Sequence, residues 1–305
     1  MNKRTNMENS PIQKIKIDTQ LKIDIYVKRE DLLHKYISGN KFRKLKYNFE
    51  HIKSFNYTDA VTFGGAYSNH ISATAYAGKL NNIKTIGIIR GDELEEVQNH
   101  NSTLKFAKEC GMNLVFVSRE DYKLKKRSLK VKTLLSTLKK PFLIPEGGTN
   151  DLAIKGCEDI LNEDTKHFDY ICTSIGTGGT ISGIINASEA SQHILGFSAL
   201  KGDFLSKDIS KFVTKSNWTI NTDYHFGGYG KVTTDLIEFI NQFKLEHDIP
   251  LDPIYTGKMM FGIIDLIKKG YFKENAKILA IHTGGLQGIK GMNEKLRTKK
   301  LPLLQ

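Results

Sequence analysis

Two apolar patterns alternate along this chain. Short runs rich in valine and isoleucine, at residues 21–27, 60–63, 85–89, 114–117, 142–144, 170–174, 194–198 and 278–281, read as strands. Between them apolar positions recur at helical spacing. Phe42, Leu45, Phe49 and Ile52 mark one helix, and Leu104, Phe106 and Ala107 mark another after the acidic start GDELEEV. Further helices are predicted over 153–161, 181–187, 234–243 and 259–267. Strands alternating with helices in this way predict an α/β fold with parallel sheets. The lysine-rich stretch 123–140 reads as a solvated helix flanking a turn at Pro141, with a nucleic-acid-binding arm as the alternative.

Glycine clusters stand where the predicted strands end: FGGAYSNH (63–70), PEGGTN (145–150), SIGTGGTISG (174–183), HFGGYGK (225–231) and HTGGLQG (282–288). In open α/β sheets ligands bind beyond the carboxyl ends of the strands, so these loops are expected to face one cleft. A chain of 305 residues is long enough for two lobes. Its net charge of +12 comes from 45 basic and 33 acidic residues scattered over the whole length. That distribution points to solubility and attraction of anionic ligands rather than to a nucleic-acid footprint. Cys110, Cys157 and Cys172 are too few and too far apart for a disulfide framework or a C-x-x-C metal site, so no metal is expected. No run approaches the roughly 18 apolar residues of a membrane helix, and no signal-like stretch opens the sequence. A cytoplasmic protein with no membrane partner is the expectation.

The stretch SGNKFRKLKY (38–47) holds four basic residues. Lys41 follows Gly39-Asn40 at a predicted helix start, whereas Arg43, Lys44 and Lys46 read as ordinary solvated charges. The positive end of a helix dipole, with partial burial, favours the neutral amine, a nucleophile toward aldehydes. The loop after residue 174 offers Gly176, Thr177, Gly178, Gly179 and Thr180 ahead of an apolar helix, a combination suited to cradling a phosphate. A glycine-rich turn without a ligand is the alternative. The third glycine of a dinucleotide fingerprint would fall at Ile181, so that motif is absent. Ser68 suits a helix N-cap. Ser68-Asn69-His70 together also offer hydroxyl, amide and imidazole to a substrate carboxylate; His70 alone reads more often as a structural histidine, but as a trio beside a strand end the functional reading gains the edge. A nucleophilic lysine, a phosphate cradle and a carboxylate receptor in one cleft suit pyridoxal 5'-phosphate acting on an amino acid.

These segments resemble the tryptophan synthase β-like group of pyridoxal-phosphate enzymes, within it the D-cysteine desulfhydrase and 1-aminocyclopropane-1-carboxylate (ACC) deaminase branch. The likeness spans residues 27–288 and rests on KREDLL, SGNKFRKL, GGAYSNH, PEGGTN, GTGGT, GGYGK, DPIYTGK and HTGG in that order. It implies a two-domain fold of parallel-rich open twisted sheets flanked by helices, with the cofactor in the interdomain cleft. The large domain would comprise residues 1–44 and 151–305, and the small one 45–150. The resemblance further implies that Lys41 carries the cofactor and Asn69 bonds its phenolic oxygen. Gly176 to Thr180 would hold the phosphate, with Thr283 at the pyridine nitrogen. Ser68 would contact substrate, and Tyr229 and Tyr255 would be active-site tyrosines; without the resemblance both read as ordinary half-buried aromatics. A homodimer is also expected.

Two departures bear on substrate. ACC deaminases resemble this chain except that they carry Tyr-Glu where it has Tyr255-Thr256, and a leucine-type motif where it has His282-Thr283-Gly284-Gly285. The expected reaction is therefore α,β-elimination from a small D-amino acid, D-cysteine giving pyruvate, ammonia and hydrogen sulfide. Lys41 would be the base, and the substrate carboxylate would lie at Ser68, Asn69 and His70. ACC deamination, or another D-amino acid lyase or racemase, is the rival reading; a basic nucleic-acid-binding protein is the rival from outside enzymology.

Overall fold

The computed structural model describes residues 10–17, 22–96, 99 and 101–305. Among them ten strands run in chain order as β1 (Ile12–Ile15), β2 (Asp24–Lys28), β3 (Asp59–Gly64), β4 (Lys84–Arg90), β5 (Asn113–Val117), β6 (Pro141–Ile144), β7 (Tyr170–Ile175), β8 (His193–Ser198), β9 (Trp218–Asn221) and β10 (Lys277–Ile281). The α-helices are α1 (Asn40–Ser54), α2 (Asn69–Asn81), α3 (Ser102–Glu109), α4 (Arg119–Leu124), α5 (Leu129–Ser136), α6 (Asp151–Glu158), α7 (Gly179–Ala187), α8 (Leu205–Ile209), α9 (Thr234–His247), α10 (Thr256–Lys268) and α11 (Gly288–Thr298).

The strands form two sheets, ordered β1-β2-β10-β7-β8-β9 and β5-β4-β3-β6. Every pairing is parallel except β1 with β2. The first sheet takes strands from both ends of the chain and the second takes strands from between them. Alternation within the central strands explains their evenly apolar sequence. On β10, Ile278 and Ala280 face one core with α9 and α10, while Leu279 and Ile281 face another with α7. Both faces of such a strand are covered, so no polar alternation is left to read.

All eight expected strands are present, except that Leu21 lies outside the described residues and β2 begins at Asp24. The pattern missed β1 and β9, the two edges of the six-stranded sheet. IQKI and WTIN are short and partly polar, as edge strands tend to be. It also missed α8 and α11. The expected solvated helix over 123–140 is instead broken into α4, a turn at Lys125–Arg127 and α5, and β6 begins at Pro141. Lys125 adopts φ +52°, and its ammonium lies 3.1 Å from the Tyr122 ring centroid and 2.7 Å from Glu146 Oε2. These contacts, not solvent, fix that residue.

Candidate active site

Lys41 owes its place to the residue two before it. Gly39 has φ +61°, and a Cβ there would meet the Thr283 carbonyl oxygen at 2.0 Å. Only glycine lets the start of α1 lie against the loop after β10, where Asn40 N–H donates to Thr283 O. Asn40 also donates from Nδ2 to Thr180 Oγ1 at 2.8 Å, and its Oδ1 accepts from Lys41 Nζ at 3.0 Å. Removal from water, and after it the neighbouring Lys44 ammonium, pushes the Lys41 amine down to about 7. The free amine expected from the helix start is therefore available near neutral pH, with burial as its main cause.

Three residues further on, the solvated reading fails. Lys44 is buried, and its Nζ donates to Gly147 O at 2.9 Å and Thr149 Oγ1 at 3.2 Å. Arg43 is buried too, held by both oxygens of Glu30, which also accepts from Ser10. Lys46 is partly exposed and pairs with Asp159. Lys41 and Lys44 stand one turn apart on the same helix face. That spacing was visible in the sequence, but the loop that buries Lys44 lies 103 residues away.

The glycine loop joins β7 to α7. Gly178 caps α7 with φ +83°, and no side chain caps the helix there. A Cβ on Gly179 would stand 2.7 Å from Thr149 Oγ1 and 3.1 Å from Lys44 Nζ, and Thr149 Oγ1 bonds Thr177 Oγ1 at 2.6 Å. The expected cradle is thus completed by Lys44 and by the PEGGTN loop, which the sequence places at the cleft without assigning it to the phosphate. Helix amides, hydroxyls and an ammonium form a donor set suited to a dianionic phosphate.

Ser68 is the N-cap of α2, accepting from Ile71 N–H at 3.3 Å, and it lines the cavity as well. Asn69 Oδ1 accepts from Gln287 Nε2 at 2.8 Å, and a Cβ on Gly285 would reach Asn69 Nδ2 at 2.8 Å. His70 is buried with Nε2 at 2.8 Å from Thr62 Oγ1. Since the Thr62 hydroxyl already donates to Ile144 O, the shared proton is on His70 Nε2. Burial, then Lys41 and Lys44, hold this imidazole well below its usual range, so it is neutral and its Nδ1 is a bare lone pair. A carboxylate gains no hydrogen bond from that atom, and the geometry favours the structural alternative for His70.

Tyr255 lies at the start of α10, and Tyr229 stands on the glycine-rich loop opposite, their ring centroids 6.2 Å apart and tilted by 62°. Burial raises both phenols, Tyr255 well above its usual range. A Cβ on Gly176 would meet Tyr255 Oη at 3.1 Å, which places this hydroxyl beside the cradle. Asp252, the first residue of DPIYTGK, to which the sequence assigns no role, organises the turn: Oδ1 accepts from the amides of Ile254 and Tyr255, and Oδ2 accepts from the amide and hydroxyl of Thr256. Thr256 is fully buried and does not line the cavity.

Thr283 lines the cavity with its Oγ1 at 3.2 Å from Ser174 Oγ, a pair of neutral hydroxyls. Below them His282 accepts from Gly284 N–H at Nδ1 and donates from Nε2 to Pro250 O. Its 3.4 Å approach to Asp31 is therefore a lone-pair contact, and the Asp31 charge is met by Arg29 through two hydrogen bonds.

Lys41, Ser68, Asn69, His70, Gly176, Thr177, Gly178, Thr180, Tyr229, Tyr255 and Thr283 all line one cavity of about 590 Å³, with Gly179 just behind it. Fold and cavity define an enzyme that works on amines through a phosphorylated aldehyde. A family model described as pyridoxal-phosphate dependent enzyme matches residues 4–284. A putative ACC deaminase of Pyrococcus abyssi is 32% identical over 94% of this chain and 92% of its own length. The mitochondrial bifunctional D-cysteine desulfhydrase/ACC deaminase of Arabidopsis thaliana is 31% identical over 87% of this chain and 73% of its own length. The crystal structure of an ACC deaminase homologue is similar with a TM-score of 0.80 at 28% identity, covering 95% of this chain and 93% of that one. The chain belongs to the pyridoxal-phosphate dependent enzyme family, with the tryptophan synthase β-like architecture of its fold type II members, and pyridoxal 5'-phosphate is its cofactor.

Proposed function

We propose that this enzyme eliminates the β-substituent of a small D-amino acid, with D-cysteine as its preferred substrate. The supporting observation is the charge inventory of the cavity. Glu146 is the one carboxylate among the described lining residues, and it is engaged by Tyr122 Oη at 2.5 Å and by Lys125. The pair Thr283 and Ser174 is neutral, and Thr256 is turned into the Asp252 net. Elimination needs one base for the α-proton and a departing group; opening a cyclopropane that has no α-proton needs further acid-base groups at the ring carbons.

Pyridoxal phosphate, when bound, supplies an aldehyde for the substrate amine and a sink for the electron pair released at Cα. Lys41 would hold the aldehyde end, and once the substrate amine displaces it, its amine, pushed down by burial to about 7, would remove the α-proton. Lys44, Thr177, Thr180 and the first turn of α7 hold the phosphate. Ser68 keeps its hydroxyl hydrogen for the substrate carboxylate while its oxygen accepts from Ile71. Asn69 Nδ2 would donate to the cofactor's phenolic oxygen, and Tyr255 would deliver or remove a proton beside the cradle. Water then completes the balance: D-cysteine and water give pyruvate, ammonia and hydrogen sulfide.

The ACC deaminases among the relatives support a second reading, ACC deamination. Product release from D-cysteine, L-cysteine, D-serine and ACC under identical conditions separates the two. One acid or base is worth about 10²–10⁴ in rate, so ACC turnover should trail by at least that factor. Release of 2-oxobutanoate from ACC as fast as pyruvate from D-cysteine overturns the proposal. We further propose that the two sheets belong to two lobes, residues 1–44 with 151–305 and residues 45–150, and that the enzyme is a homodimer. Limited proteolysis tests the first and sedimentation the second.

A further inference from the structure

Beneath the tyrosine pair lies a cation that the proposed reaction does not use. Lys258 is among the largest fully buried side chains of the molecule, on the first turn of α10, three residues after Tyr255. No carboxylate pairs with it among the described ion pairs. Its Nζ donates instead to two backbone carbonyls, His225 O at 2.8 Å and Gly228 O at 2.9 Å. Methionines and isoleucines surround this turn, and an apolar side chain would suit that core without the cost of a buried charge. The amine must therefore serve the segment it grips.

That segment is the loop carrying Tyr229. Four of its residues have positive φ, Phe226 at 51°, Gly227 at 86°, Gly228 at 107° and Gly230 at 66°. A chain so rich in glycine has many alternative shapes, and ordering it costs more than ordering any other residue type. Its own bonds are few: Gly228 N–H to His225 O, Lys231 N–H to Gly228 O, and Gly227 N–H to His225 Nδ1. Nothing lies within 4 Å of a Cβ built on Gly230. The Gly228 carbonyl that Lys258 binds belongs to the peptide leading directly into Tyr229.

We propose that Lys258 is a positioning residue that clamps the 225–231 loop over the cavity and so sets Tyr229 against Tyr255. One helical turn then controls both tyrosines, presenting Tyr255 from its end and tethering Tyr229 through the loop. The proposal rests on the reading of this cavity as the active site, but the clamp itself is testable without turnover. Burial pushes the Lys258 amine down to about 8, with Asp252 opposing, which agrees with an ammonium held by carbonyls alone.

The test uses the cofactor-loaded enzyme with Lys258→Met, which keeps the stem and removes the charge. Amide exchange across 225–231 should accelerate by about tenfold or more while exchange in the sheet strands stays unchanged. With D-cysteine, or whichever panel substrate turns over, kcat/KM should fall by about tenfold or more with cofactor content unaltered. In a Tyr229→Phe background the same change should cost far less, because the tyrosine it positions is already disabled. Should Lys258→Met not fold, Lys258→Gln, which keeps a donor without charge, carries the same comparisons. Unchanged loop exchange overturns the clamp whatever the reaction proves to be. Faster exchange with kinetics unchanged, or with an equal loss in the Tyr229→Phe background, overturns its positioning role. A failed substrate panel with accelerated loop exchange would instead overturn only the choice of reaction.

Discussion

The carboxylate of Asp252 accepts from both the backbone amide and the hydroxyl of Thr256, at 2.8 and 2.7 Å, and the same hydroxyl accepts from the Asp252 amide. Thr256, the first residue of α10, is thus bound into the turn by Asp252 and lies outside the cavity wall. Thr256→Val removes one of the donors to a buried carboxylate, which should lower stability by about 1–3 kcal/mol. Urea denaturation measures it, and an unchanged midpoint would show the net to be dispensable.

Burial pushes the Lys41 amine down to about 7, far below an ordinary lysine. A lowered amine gains its neutral, nucleophilic form as pH rises through the lowered value. The rate at which apoprotein takes up pyridoxal phosphate should therefore climb through pH 7 and level off above it. A midpoint near 10 is the contrary result. Lys41→Ala should reduce turnover by at least about 10²–10⁴, and reduction with borohydride followed by peptide mapping should no longer label this helix.

Lys44 supplies the formal charge of the cradle. Losing a charged hydrogen-bond donor typically costs about 1.5–3 kcal/mol, so Lys44→Met should weaken cofactor retention by roughly 10- to 100-fold. Equilibrium dialysis or the visible absorption of the bound cofactor reports it. Retention equal to the parent enzyme would remove Lys44 from the phosphate site.

Gly178 allows strain and charge to be separated. At φ +83° an alanine pays about 1–2 kcal/mol in backbone strain, with Ile209 only 3.0 Å from the new methyl. Gly178→Asp adds a negative charge to that strain, and should lower cofactor affinity well beyond the alanine variant. Equal losses in the two variants would mean that no anion sits there.

The sequence revealed what depends on neighbours within a few residues and obscured what depends on distant ones. The β7–Gly176–α7 turn is legible because strand, glycines and helix are contiguous. Lys41 is legible because Gly39-Asn40 announce the helix. Lys44 looked like a surface lysine because the loop that buries it, 147–149, is folded back from across the chain. Asp252 opens the DPIYTGK motif, yet an aspartate before Pro253 reads as an ordinary turn residue, and only the converging amides of 254–256 show its task. His70 is legible as a member of a cluster, but the placement of its proton is not, since that is decided by Thr62 on β3.

Asn40 joins the start of α1 to Thr180 at the far end of the glycine loop, two points 140 residues apart in sequence. The residue beside the reactive amine is thereby tied to the residue that closes the anion cradle, and neither jaw can drift without pulling on the other. The site acts as a calliper, its opening preset before any ligand arrives. An aldehyde lacking the phosphate would engage one jaw and leave the other idle, so the spacing itself becomes a criterion of admission, independent of the strength of either grip.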